Sequence, residues 1–159
     1  MLAAAAALTM LAGAAYAQDE VKVAPNVEAL FHSKDPVLDR NKQAAYHIEK
    51  ELLEAGHWEM ADRWLTDRYI QHNPNAQSGL KGVIFYFTQV AKVQPKPIPA
   101  KLGAPVVAVM AEGDLVTVLT RREMKSPKDP SKTYTTTWFD TWRFVNGKAD
   151  EHWDGATLN

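Results

Sequence analysis

The segment TYTTTWFDTWRFVNGKADEHWD, residues 133–154, decides the fold. Its Asn146-Gly147 pair is the strongest short hairpin signal, because both central residues of a type I′ turn need a positive φ that Asn and Gly tolerate. On the strand before the turn, alternation puts Trp138, Asp140, Trp142 and Phe144 on one face and Phe139, Thr141, Arg143 and Val145 on the other. On the strand after it, the same period groups Asp150, His152 and Asp154, with Trp153 opposite. Counting back from the turn pairs Val145 with Lys148 and Arg143 with Asp150, a register that a β-bulge would change.

Working outward, 104–112 and 115–124 are two more strands joined at Glu112-Gly113-Asp114, and 126–132 is a polar loop leading into residue 133. With 133–145 and 148–155 they make an antiparallel meander. Pro95, Pro97 and Pro99 separate it from a helical half. There, 39–56 presents Ala44, Ala45, Ile48, Leu52 and Leu53 at helical spacing with the charges on the other side. Residues 57–65 and 79–92 follow as second and third helices, with 66–75 between them as a short strand or extended turn ending at Asn73-Pro74. Residues 18–36 read as an extended arm docking through Val37 and Leu38. The order predicts an α+β domain over 37–159, about three N-terminal helices packed on a curved antiparallel sheet.

Among 159 residues, 18 Lys+Arg stand against 19 Asp+Glu, a formal net charge of -1 that argues against a nucleic-acid-binding face. The absence of cysteine excludes disulfides, thiolate metal sites and a cysteine nucleophile. Residues 2–16 carry no charge, span the length of a secretory h-region and fall short of the roughly 20 residues of a membrane span. Ala15-Tyr16-Ala17 fits a small-x-small cleavage site, although no Lys or Arg precedes the apolar run. The expectation is a signal peptide over 1–17, a mature start at Gln18, a periplasmic or secreted protein, and no stable membrane span once the leader is gone.

An aspartate between two tryptophans on one face must be paired or protonated if it is buried. Carboxylate beside imidazole suits proton transfer near neutrality, so Asp140, His152 and Asp154 are the candidate catalytic residues. The alternative reading of the same residues is structural: Asp140 and Arg143 pair at the surface, and His152 hydrogen-bonds within the sheet. His72 and Asn73 add an imidazole and an amide, residue types that also form turns. His72, His152 and Asp154 lack a recognised ligand spacing, so no metal is expected. There is no Gly-x-Ser-x-Gly elbow and no glycine-rich phosphate loop.

Tyr69-Ile70-Gln71-His72-Asn73-Pro74, Gly79-Leu80-Lys81-Gly82 and the tail 139–154 together resemble the SnoaL-like polyketide cyclase family of the nuclear transport factor 2-like superfamily, of which ketosteroid isomerase is a distant member. The resemblance runs from about residue 39 to 155. It implies a cone-shaped fold whose curved antiparallel sheet wraps helices around a pocket. Strand alternation assigns Asp140, Trp142, His152 and Asp154 to the concave face with Trp138 and Phe144, and the resemblance adds Tyr69, His72 and Asn73 at the mouth. In the family's cyclases an acid acts as general acid/base in an intramolecular aldol condensation without cofactor or metal. Asp140 and Asp154 both suit that role, His152 could assist either, and His72 or Asn73 would receive the enolate oxygen.

Three readings follow. The first is an exported, cofactor-independent enzyme that cyclises or isomerises a small apolar carbonyl compound. The second is a non-catalytic module binding such a ligand in the same pocket. The third is an assembly role through the open sheet face, as a homodimer.

Overall fold

Most of the helical residues precede the four strands of the meander, and the first two helices start where the sequence supplies a cap. The computed structural model describes residues 19–158, so the leader expected over 1–17 lies outside the described residues. Asn26 caps α1 (Val27–Leu30) through Ala29 N–H, and Asp35 caps α2 (Pro36–His47) through Val37 and Leu38 N–H, with Pro36 in the first turn where its missing donor costs nothing. After α2 come a π-helical segment (Ile48–Glu54), a 3-10 helix (Trp58–Arg63), β1 (Leu65–Gln71), α3 (Leu80–Phe85) and a second π-helical turn (Tyr86–Val90). The strands β2 (Val106–Glu112), β3 (Leu115–Lys125), β4 (Thr133–Val145) and β5 (Lys148–Asp154) follow.

The sheet order is β1-β5-β4-β3-β2. Three of its four ladders contain register shifts, and such irregularities bend strands, so the sheet curls around the helices. Phe31, Ala45, Leu52, Val106, Val116 and Val118 are fully buried between the layers. Each large apolar side chain buried there contributes about 1.5–3 kcal/mol. The α+β architecture is the one read from the sequence, and three details differ from that reading.

The first concerns the arm. Val21 N–H donates to Thr135 Oγ1 and Ala24 N–H to the Val106 carbonyl, which ties 21–24 to the sheet, while 27–30, expected as part of an extended arm, form α1. The anchor, however, is Phe31 just after α1, while Val37 is 48% exposed.

The second concerns helix 39–56. Beyond His47 the turns widen, as the Ala55 N–H to Lys50 carbonyl bond of 3.1 Å shows. Counting at 3.6 residues per turn no longer gives the faces. Ile48, Glu49, Glu51 and Leu52 are all buried and Leu53 is 37% exposed, against the expectation that the charges sit outside.

The third is topological. Strand β1 pairs in parallel with β5, so the sheet is mixed, and β5 is an interior strand flanked by β1 and β4.

Candidate functional site

The site depends on one extra residue. Asn146 and Gly147 both have positive φ, 51° and 80°, and close the hairpin with Val145 opposite Lys148 and Phe144 opposite Ala149. The register then shifts: Arg143 faces Glu151, Trp142 faces His152 and Asp140 faces Asp154. Directly opposed residues share a face. Without the bulge His152 would oppose Thr141 and fall on the outer face; with it, His152 and Asp154 join Asp140 and Trp142. Asp150, the residue in excess, leaves that group and accepts hydrogen bonds from Thr66 Oγ1 at 2.6 Å and from the Arg68 guanidinium. The Arg68 bond is the main reason its carboxyl lies below the ordinary aspartate value.

His152 is buried, its ring stacked near Trp142 and Tyr69. Its Nε2 lies 3.1 Å from Asp140 Oδ1 and its Nδ1 2.7 Å from Gln71 Oε1. The Asn73 backbone N–H, which can only donate, points to the same Gln71 oxygen at 3.0 Å. That fixes the amide orientation, so His152 Nδ1 carries a hydrogen and donates it to Gln71. Nε2 is left facing Asp140 Oδ1.

Asp154 is held differently. Its Oδ2 accepts from Asn73 Nδ2 at 2.7 Å and its Oδ1 from the Ala156 N–H at 2.9 Å. Asn73 is itself oriented by Asn75, whose backbone and side-chain N–H groups both donate to Asn73 Oδ1. Donor atoms of Asp140, His152 and Asp154 lie within 4.8 Å of one another, close enough to grip a divalent cation. Each also takes part in hydrogen bonds within the protein.

These groups line a cavity of about 490 Å³ between the sheet and the helical half. Tyr69, Asn73, Trp138 and Trp142 are in its wall, as the sequence reading placed them. Tyr69 Oη accepts from Trp142 Nε1 at 3.3 Å, and burial pushes the phenol well above its ordinary value of 10, so its own O–H remains available as a donor. Trp138 lies under the Arg122 guanidinium, 3.6 Å from its centroid.

Two expected pocket residues are elsewhere. His72 turns outward, bonding Glu151 Oε1 at 2.8 Å and stacking on Trp153 at 5.2 Å, because alternation beyond β1 sends 69, 71 and 73 inward and 72 out. Phe144 is buried in the core and does not line the cavity.

Among the cavity residues that escaped the sequence reading, Gln71 and Glu49 matter most for the site. Gln71 was marked by the same alternation that selects Tyr69 and Asn73. Glu49, from the π-helical segment, is 4% exposed, and its Oε1 has no hydrogen-bond partner among the described residues. Desolvation first, then the charges of Asp140 and Glu54, raise its carboxyl from 4.5 to about 8, so it is a neutral acid at pH 7.

Comparison with known proteins agrees with this architecture. A SnoaL-like polyketide cyclase, so assigned, from Jannaschia sp. CCS1 shares 18% identity over 78% of this chain and 91% of its own, with a TM-score of 0.53. An NTF2-like protein of unknown function from Burkholderia pseudomallei K96243 shares 17% over 74% and 91%, TM-score 0.52. A protein assigned as a polyketide cyclase from Acidithiobacillus ferrooxidans shares 14% over 72% and 86%, TM-score 0.51. At these identities the likeness is one of fold, the NTF2-like cone. No curated protein matches the sequence. The sequence profile of the SnoaL-like domain matches residues 44–152, well over half of the chain, and the protein belongs to that family.

Proposed function

We propose that the protein is an acid/base enzyme that removes a proton next to the carbonyl group of a small, largely apolar compound and uses the resulting enolate in an aldol-type cyclisation or an isomerisation. The observation that carries this reading is the Asp140–His152 contact in the cavity wall, with the imidazole orientation fixed from behind by Gln71. Asp140 takes the C–H proton, and the electron pair of that bond becomes the enolate. The enolate oxygen is received by the Tyr69 O–H, which takes the part that the sequence assigned to His72 or Asn73. Asp140 then returns the proton, either to a carbon of the same molecule or to the new alkoxide formed when the enolate carbon attacks a second carbonyl. His152 holds the Asp140 carboxyl in position through the Nε2···Oδ1 contact while it takes and returns the proton. Asp154, fixed by two N–H donors, supplies a standing negative charge.

Export belongs to the same reading. The uncharged run 2–16 and the Ala15-Tyr16-Ala17 triplet support a leader cleaved before Gln18 and a periplasmic or secreted enzyme. N-terminal sequencing of the recovered protein tests it: Gln18 as first residue supports export, and an intact Met1 in the cytoplasm refutes it.

The reaction is tested by following the α-protons of 1-tetralone and a panel of other ketones in D2O by proton NMR. Exchange above background that falls at least about 100-fold in Asp140→Asn supports the enzyme. A folded wild type that binds ketones but exchanges none leaves the non-catalytic ligand-binding module.

A further inference from the structure

Gln71, the last residue of β1, and Asn73 just beyond it hold two polar groups of the cavity from behind. Gln71 Oε1 accepts from His152 Nδ1 at 2.7 Å, and Asp154 Oδ2 accepts from Asn73 Nδ2 at 2.7 Å with the Ala156 N–H on its other oxygen. An acceptor on the far nitrogen of an imidazole and donors behind a carboxylate are the partners that orient the ligands of a metal ion. In front, His152 Nε2 lies 3.1 Å from Asp140 Oδ1, and one donor atom from each of Asp140, His152 and Asp154 lies within 4.8 Å of the other two. Each Asp154 oxygen accepts one N–H and keeps a second acceptor position.

With its hydrogen on Nδ1, the neutral imidazole turns an Nε2 lone pair toward the Asp140 carboxylate. Lone pairs that face each other need a positive centre between them, a proton or a metal ion. A proton serves two acceptors, and three converge here. The 3.1 Å separation is also that of neighbouring ligands on one ion, since bonds of about 2.1 Å at roughly 90–109° set donor atoms roughly 3.0–3.4 Å apart. Glu49 points to a ligand independently: it is 4% exposed, lines the same cavity, and its Oε1 has no hydrogen-bond partner among the described residues. Glu51, in the same π-helical segment, is by contrast matched by His47 and Trp64. An unmatched buried oxygen is costly, and a cation or the water it carries is a partner for it. The cavity's arginines, Arg121 and Arg122, face Thr137 and Thr136 on β4, roughly 10–13 Å along the strand from Asp140.

We propose that Asp140, His152 and Asp154 bind a divalent first-row transition-metal ion such as Zn2+. One imidazole and two carboxylates suit Zn2+, Mn2+ or Fe2+, and the nitrogen disfavours Mg2+ and Ca2+. The set differs from the one weighed on the sequence, where His72 stood in place of Asp140. The site goes beyond the proposed reaction and excludes it while the ion is bound, because lone pairs that Asp140 gives to a cation cannot take a C–H proton.

Calorimetric titration of Zn2+ into the full protein, first treated with EDTA and dialysed, tests the site, with Mg2+ as the contrast. One equivalent of Zn2+ is expected to bind in the micromolar range or tighter, and Mg2+ far more weakly. Asp140→Asn and Asp154→Asn, which keep the shape of the side chains, should each weaken Zn2+ at least about 100-fold, and Gln71→Leu, a positioning change, about tenfold. Glu59→Gln, at the exposed His57–Glu59 pair, should change nothing. No Zn2+ binding, binding that survives both aspartate variants and so belongs to surface histidines, or Mg2+ bound as tightly as Zn2+ would each overturn the assignment. Ketone α-proton exchange in the same samples separates the site from the reaction. Exchange that stops at one equivalent of Zn2+ supports both, and exchange undiminished with Zn2+ bound removes Asp140 from the ligand set and overturns the site. Zn2+ held by these residues with no exchange in the EDTA-treated protein leaves the site and removes the enzyme, whereas exchange without Zn2+ binding does the reverse.

Discussion

Asp154 stands directly opposite Asp140 in the β4–β5 ladder, yet the two carboxylates are held in different ways. Asp154 is fixed by the Asn73 amide and the Ala156 N–H, while Asp140 faces His152 Nε2 at 3.1 Å. In the proposed reaction Asp140 is the base and Asp154 a fixed charge beside it. Asp140→Asn is expected to lower ketone α-proton exchange at least about 100-fold, and Asp154→Asn only about tenfold, since the second change removes a charge and leaves the base. Equal losses in the two variants would show that the roles are shared.

Gln71 acts through His152. Replacing it with Leu removes the Nδ1 acceptor and frees the imidazole to change tautomer. Nitrogen-15 NMR of the imidazole should show hydrogen on Nδ1 in wild type and a mixture of tautomers in Gln71→Leu. The exchange rate is expected to fall about tenfold with the ketone affinity little changed. An unaltered tautomer in the variant would show that Gln71 does not fix His152.

Glu49 gives the stability a pH dependence of definite sign. Its carboxyl keeps a proton to about pH 8 in the fold and to about 4.5 when unfolded. Between those values the native state binds more protons, so this group makes stability fall as pH rises through the window, by at most about 1.4 kcal/mol per unit. Urea unfolding at pH 5 and pH 8 should show that decline in wild type and a flatter response in Glu49→Gln. Glu49→Leu should be more stable than wild type at pH 8, because it removes an unmatched polar group from the interior.

Asp150 carries a contribution of opposite sign. The Arg68 bond, with help from Thr66, holds its carboxyl low, so the stability it adds is present above its ordinary value of 3.8 and is lost as pH falls through the lowered value. Asp150→Ala is expected to cost about 1–3 kcal/mol at pH 7, the penalty of leaving Thr66 and the β1–β5 seam without their acceptor, and to lose less on acidification than wild type. Urea midpoints at pH 7 and pH 3 check both statements.

The hairpin was readable because Asn146-Gly147 and strict alternation agree, and β4 begins and ends at the predicted residues, Thr133 and Val145. Membership of one face by Asp140 and Trp142 followed from the same period. What periodicity does not carry is a change of period. The bulge at Asp150 and the widened turns after His47 each offset the count, and those two places decide where His152 and Glu49 point. Long-range partners are hidden for a related reason: the pairing of Gln71 with His152 is set by a parallel β1–β5 contact between segments some eighty positions apart in the chain. His72 was misplaced by reading a phrase as a unit where alternation along the strand separates its members.

Strand β1 has β5 as its sole neighbour in the sheet, and β5 follows every other strand in the chain. During synthesis β1 must therefore wait, without a sheet partner among the described strands, until β2 to β5 have all emerged, and Gln71 meets His152 in the same event that seats β5. Loop closure over so long an interval is slow relative to local helix formation. The seam between β1 and β5 is therefore among the last that the folding chain can close.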